Sequence, residues 1–120
     1  MLPYDSRKNY FGAENTRLAD IFGEVLKLMP YLHGGWNYAA YRHDVDYDGT
    51  KKTGFFGRIS NYFDRKKADK NFRLALEKAV MFAEDGGKIS FDQANRAMKL
   101  AWFSYKAVRV MGWKFYKVKG

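Results

Sequence analysis

Apolar side chains recur at helical spacing along most of this chain. Leu18, Ile21, Phe22, Val25, Leu26 and Met29 fall at i, i+3, i+4 intervals, the pattern of a helix with one buried face. Asn15 or Thr16 is placed to cap its start, and Pro30 stops it. Tyr31-Leu32-His33-Gly34-Gly35 then reads as a tight loop, with two glycines that let backbone groups approach a ligand. A second helix is predicted from Trp36 or Asn37 to Asp48. Its packing candidates are Tyr38, Ala39, Ala40, Tyr41 and Val45. Gly49 to Gly54 is a basic turn, for which Gly49 supplies a helix cap.

Phe55, Phe56, Ile59, Tyr62 and Phe63 form an apolar stripe with arginine and lysine interleaved. This segment is a short helix or loop, either part of the core or a lipid-facing lip. Ala68, Phe72, Ala75, Leu76, Ala79 and Val80 then mark a clear helix from Asp64 to about Ala83, ended by Gly86-Gly87. Ser90 with Gln93 resembles a capping box for a last helix from Phe91 to about Val110. A basic aromatic tail occupies residues 111–120, with Trp113, Lys114, Phe115, Tyr116, Lys117 and Lys119 as a docking segment or a frayed end. No strand pattern and no internal repeat stand out, so the class is all-α.

Composition sharpens this picture. The 120 residues fit one domain, 1–120, large enough to bury a core without staples. At 47% hydrophobic and 18% aromatic the chain is not of disordered type. It has no cysteine, which excludes a disulfide framework and a thiolate metal site. No apolar run reaches the ~20 residues needed to span a bilayer. Met1 to Tyr10 is polar and lacks the apolar core of a signal peptide. The net charge of +9 suits either plain solubility or an anionic partner: nucleic acid, or a membrane surface rich in acidic lipid. Ten Phe, nine Tyr and three Trp are more than an ordinary core of this size holds, so some are exposed. Aromatic and basic groups together suit lipid headgroups as well as nucleic acid.

The candidate chemistry sits in Arg42-His43-Asp44-Val45-Asp46-Tyr47-Asp48. His43 and Tyr47 are i, i+4 and share a helix face. Asp44 projects about 100° around the helix from His43. A proton acceptor and a cation ligand therefore stand side by side on a rigid element. The two segments H-D-x-x-Y (His43, Asp44, Tyr47) and A-D-x-x-F (Ala68, Asp69, Phe72) follow the Tyr-Leu-x-Gly-Gly segment in order.

This set resembles the calcium-dependent phospholipase A₂ fold, most of all the small cysteine-free version found in virion proteins of parvoviruses and some phages. There a Y-L-G-P-G loop, an H-D-x-x-Y helix and an A-A-D-x-x-F helix make up the active centre. The resemblance covers residues 30–76. It implies a small all-α domain in which two antiparallel helices carry a His–Asp site, and an activity on phospholipid esters that requires Ca2+. By resemblance His43 is the base that draws a proton from water, Asp69 accepts the other ring N–H, and Tyr47 hydrogen-bonds Asp69. Asp44 supplies carboxylate oxygens to the ion, with the backbone carbonyls of Tyr31, His33 and Gly35. The ion polarises the ester carbonyl and stabilises the oxyanion. The sequence departs from the family pattern at three points. His33 stands at the first loop glycine, His43 follows Gly35 after a shorter connection than relatives use, and Lys67 replaces one alanine before Asp69. The implied setting is a virion or secreted component that breaches an anionic phospholipid membrane, with other virion proteins as possible partners.

Other readings compete. His43 and Asp44 together suit a solvated surface pair, and Asp69 is within i±4 of both Arg65 and Arg73. Asp44-Val45-Asp46-Tyr47-Asp48-Gly49 matches the first half of an EF-hand loop, but Lys51 and Phe55 fail its second half. Asp46 and Asp48 fit a helix C-terminal face better. Gly86 to Phe91 echoes the end of such a loop without its carboxylates. Two further functions remain: a basic, non-catalytic structural virion protein of the same fold, and a nucleic-acid-binding module supported by charge and aromatics alone.

Overall fold

A computed structural model describes residues 3–10, 16–47 and 53–111. They build four α-helices in the order α1 (Thr16–Leu28), α2 (His33–Tyr47), α3 (Gly54–Asp85) and α4 (Phe91–Met111), with one 3₁₀ turn, Pro30–Leu32, before α2. Among the described residues there is no strand, so the all-α class stands. No described helix is long and apolar enough to cross a membrane. The expected caps at Asn15 and Gly49, residue Asp48, most of the basic turn and the tail beyond Met111 lie outside the described residues.

α1 buries Phe22 and Val25, with Met29 buried just beyond its end, the apolar face the periodicity predicts, and leaves Leu26 exposed. It ends at Leu28, just before Pro30. The expected tight loop at Tyr31–Gly35 is not a loop. Pro30 opens the 3₁₀ turn, where its fixed φ is already suitable and no amide hydrogen is needed. α2 then begins at His33, ahead of the Trp36 or Asn37 expected. Two glycines weaken a helix by roughly 1 kcal/mol each, but Leu32, Trp36, Asn37, Ala39 and Ala40 are all buried here and anchor the turn. Gly35 lets α2 approach α3 closely, since a Cβ on it would lie 3.1 Å from the Ala79 Cβ of α3.

α3 is one continuous 32-residue helix. The stripe at Phe55–Phe63 and the helix expected from Asp64 are the same element, because no proline or glycine pair separates them. α2 and α3 run antiparallel: Gly35 faces Ala79, His43 faces Phe72, and Tyr47 reaches Asp69. α3 turns into α4 through Gly86 and Gly87. Gly87 has φ +70°, a conformation that favours glycine, and Lys88 N–H donates to Ala83 O at 2.8 Å. The capping box forms reciprocally: Ser90 N–H donates to Gln93 Oε1 at 2.8 Å, and Gln93 N–H to Ser90 Oγ at 3.1 Å. Arg96 of α4 pairs with Glu24 of α1, Nε at 3.0 Å.

One core joins all four helices. Phe72, Leu76, Val80 and Ala83 of α3 meet Ala94, Ala97, Leu100, Ala101 and Val108 of α4 and the buried residues of α1 and α2. Alanine at so many facing positions lets the helices approach closely. Trp36, absent from the packing candidates, is fully buried, whereas Tyr38 is exposed and Tyr41 half-buried. Tyr38 and Tyr41 instead form a ring cluster with Tyr4 and Tyr10. Buried Asn37 fastens that segment: its Oδ1 accepts from Tyr10 N–H at 2.7 Å and its Nδ2 donates to Lys8 O at 2.6 Å.

Candidate active site

The i, i+4 spacing of His43 and Tyr47 aims both side chains from α2 at the same turn of α3. Asp69 stands on the face of α3 that also carries Phe72 and Leu76, and is therefore carried into the core with them. Its side chain is 0% exposed. An unpaired carboxylate there would be strongly destabilising, and the surrounding groups remove that penalty. His43 Nε2 lies 2.7 Å from Asp69 Oδ1, and the Tyr47 hydroxyl donates to the same oxygen. Arg109 Nη1 of α4 donates to Oδ2 at 2.8 Å, with Arg65 Nε 3.7 Å from that oxygen. Arg65 Nη2 also donates to Arg109 O at 2.5 Å, which ties α3 to the last turns of α4.

These contacts fix the ionisation of two groups. Burial by itself pushes the Asp69 carboxyl up. The hydrogen bonds from His43, Tyr47 and Arg109 and the attraction of His43 outweigh it, and the group is held below the usual carboxylate range. Tyr47 is pushed far above the usual phenol range, first by burial and then by the adjacent Asp69 charge, so it stays a hydrogen-bond donor. A neutral imidazole beside an ionised Asp69 carries its N–H on Nε2 and its lone pair on Nδ1. The imidazole is buried, with Tyr47 4.1 Å and Phe72 4.9 Å away between ring centroids. That is a fixed ring with its tautomer set by a carboxylate, an arrangement able to accept a proton at Nδ1.

The remaining candidates lie apart from it. Asp44 is exposed on α2, next to His43. Tyr31 is exposed in the 3₁₀ turn, with Lys88 Nζ 5.7 Å from its ring centroid. His33 packs its ring 4.7 Å from that of Phe22 of α1. His33 and Gly35 form the first turn of α2, so their carbonyls are directed along the helix to amides four residues on. They precede Asp44 on the same helix by about 13–17 Å of axial rise. The carbonyls of Tyr31, His33 and Gly35 therefore do not converge on Asp44, and the residues present do not fit the calcium site that the resemblance implies. The physical reason is the short connection: without a spacer between Gly35 and His43, the would-be loop is absorbed into α2.

Arg65, an i−4 neighbour of Asp69 in the sequence, does reach it, while Arg73 turns to Glu77 at 3.7 Å and to the rings of Trp102 and Tyr105. Arg109 was not legible as a site residue, because it is 40 positions from Asp69 and only the α3–α4 hairpin brings them together. Comparison of the chain with protein-family models, with curated proteins and with solved structures found no match.

Proposed function

We propose that this chain is a small hydrolase of phospholipid esters, of phospholipase A₂ type, in which His43 is the general base. The observation that supports the reading is the buried His43–Asp69–Tyr47 arrangement, with the imidazole held at 2.7 Å by an ionised carboxylate. In the proposed reaction Nδ1 of His43 takes a proton from water as the oxygen attacks the ester carbonyl. Asp69 balances the imidazolium that forms, and Tyr47 and Arg109 keep the carboxylate from turning away. The protonated imidazole then gives its proton to the leaving alcohol, so that water and ester become fatty acid and lysophospholipid.

The resemblance also carries a calcium requirement. Asp44 is the one expected ligand beside His43, the carbonyl set does not join it, and no step above passes through the metal. The proposed setting is a virion or secreted component acting on a membrane surface. The decisive experiment is release of fatty acid from phospholipid vesicles, with millimolar calcium and with chelator, by wild type and His43→Ala. Release that His43→Ala abolishes supports the reading, and loss of release in chelator would restore calcium to it. A second reading, a basic structural virion protein, is favoured by one observation: Arg65 and Arg109 converge on the buried Asp69, as a structural network requires. Folded wild type that releases no fatty acid under either condition selects that second reading.

A further inference from the structure

The first three turns of α3 stand out from the core. Phe55 is 72% exposed, Phe56 82% and Phe63 61%, and Ile59 and Tyr62 are about half exposed. At about 100° per residue, all five fall within an arc of about 120° on one face. Monomeric proteins rarely leave a contiguous apolar patch of this kind in water. Its borders are basic. Arg58 flanks the stripe on one side and Lys67 on the other, and Lys66 follows it one turn on, with its Nζ 6.0 Å from the Tyr62 ring centroid. Asp64, the only acid between Gly54 and Lys67, points about 180° from Phe55. From α4, the Arg109 guanidinium lies 5.9 Å from the Tyr62 ring centroid.

We infer that this arm of α3 is a membrane-docking helix, and that its partner is the surface of an anionic lipid bilayer. The argument is charge complementarity around an apolar face. Phe55, Phe56 and Phe63 are placed to enter the acyl boundary. Arg58, Lys66 and Lys67 are placed at the level of lipid phosphates, and the sole acid faces away from the surface. A second copy of this chain is a poorer occupant, because pairing two such faces would juxtapose their basic borders. Single-stranded nucleic acid could stack its bases on the exposed rings, so it enters the test below as a competing outcome. The inference deepens the proposed lipid-ester reading by naming the surface that brings the chain to its substrate, and it rests on that reading.

The test separates docking from chemistry. The His43→Ala chain, all 120 residues of it, is floated in chelator with vesicles of phosphatidylcholine alone and with roughly one third phosphatidylglycerol. The expected result is binding to the anionic vesicles that weakens with salt, and a loss of at least about tenfold in partition for the triple variant Phe55→Ser/Phe56→Ser/Phe63→Ser. A similar loss is expected for Arg58→Glu/Lys66→Glu/Lys67→Glu. Circular dichroism confirms that each variant keeps its helices. In the His43-intact background, the phenylalanine variant should still hydrolyse a dispersed short-chain ester while failing on vesicles. Wild-type binding unchanged by either triple variant overturns the inference. So does a concentration-dependent dimer that the serine variant abolishes, or tighter binding to single-stranded DNA than to vesicles. Loss of binding in a chain truncated before Trp113, with α3 intact, would assign docking to the tail instead. Vesicle binding without any hydrolysis would remove the enzyme reading and leave this one standing.

Discussion

Arg109→Met is the sharpest test of the buried network. Methionine keeps the apolar stem and removes the guanidinium, so the change isolates the charge. Asp69 then loses a 2.8 Å charge-assisted hydrogen bond at a fully buried oxygen. Such a bond contributes about 1.5–3 kcal/mol, and the cation over the Tyr62 ring adds about 0.5–1 kcal/mol. Arg65 Nε remains 3.7 Å from the same oxygen and limits the loss. The expected cost at neutral pH is about 2–3 kcal/mol, read from urea unfolding followed by circular dichroism. The pH dependence has a definite sign. Asp69 has a lower pKa in the folded chain than its ordinary 3.8, so its ionisation stabilises the fold fully above that value, and the contribution is lost as pH falls through the folded pKa. Arg109→Met shrinks that contribution. The gap between wild type and variant should therefore be constant above about pH 5 and narrow as pH drops below 3.8. The double variant Arg65→Met/Arg109→Met should cost more than the sum of the two single changes, because it leaves Asp69 with no guanidinium. A gap that is unchanged at acid pH, or strict additivity, would refute the account: the arginines would then act by packing alone.

Three other outcomes follow from the same structure. Tyr47→Phe should cost about 1–2 kcal/mol at neutral pH by removing one donor from Asp69. Since the folded Tyr47 pKa is raised, wild-type stability should also decline as pH rises past the ordinary 10.0, and spectrophotometric titration should show a phenol in the wild type that ionises only on unfolding and is missing from the variant. Gly35→Val should destabilise by about 1–3 kcal/mol through its clash with Ala79, whereas Gly35→Ala should stay within about 1 kcal/mol of wild type, since better helix propensity offsets the 3.1 Å contact; equal effects in thermal melts would mean that the close approach is not what places glycine there. Asn37→Ala should free residues 3–10, costing about 1–3 kcal/mol and exposing that segment to limited proteolysis while α2–α4 stay protected.

The helices were legible where one signal dominated. The apolar face of α1, the stop at Pro30, the capping box at Ser90 and the glycine turn after α3 are all local chemistry, and they appear as the residues dictate. The errors came where local signals opposed tertiary ones. Two adjacent glycines argue for a loop at 34–35, yet burial of Leu32, Trp36 and Asn37 on either side makes a helical turn the lower-energy solution. The break expected between Phe63 and Asp64 rests on a change in the character of the side chains, not on any residue that ends a helix, and α3 runs straight through it.

The same division governs the site. The i, i+4 spacing puts His43 and Tyr47 on one helix face, and the resemblance carried by the H-D-x-x-Y and A-D-x-x-F segments adds Asp69 to them; the structure brings the three side chains together. Arg109 and Asn37 were not legible, since each acts across a contact that only the assembled bundle creates. The calcium ligands show the converse. Three of the four were backbone carbonyls, and a carbonyl's direction depends on the conformation of its segment, not on the side chain that names it. Once Pro30 and the buried Trp36 draw residues 33–35 into α2, those oxygens are committed to the helix, and a match in sequence letters no longer implies a match in ligands. The buried dyad survives the same change because side chains, unlike carbonyls, keep their direction when the helix beneath them is extended by a turn.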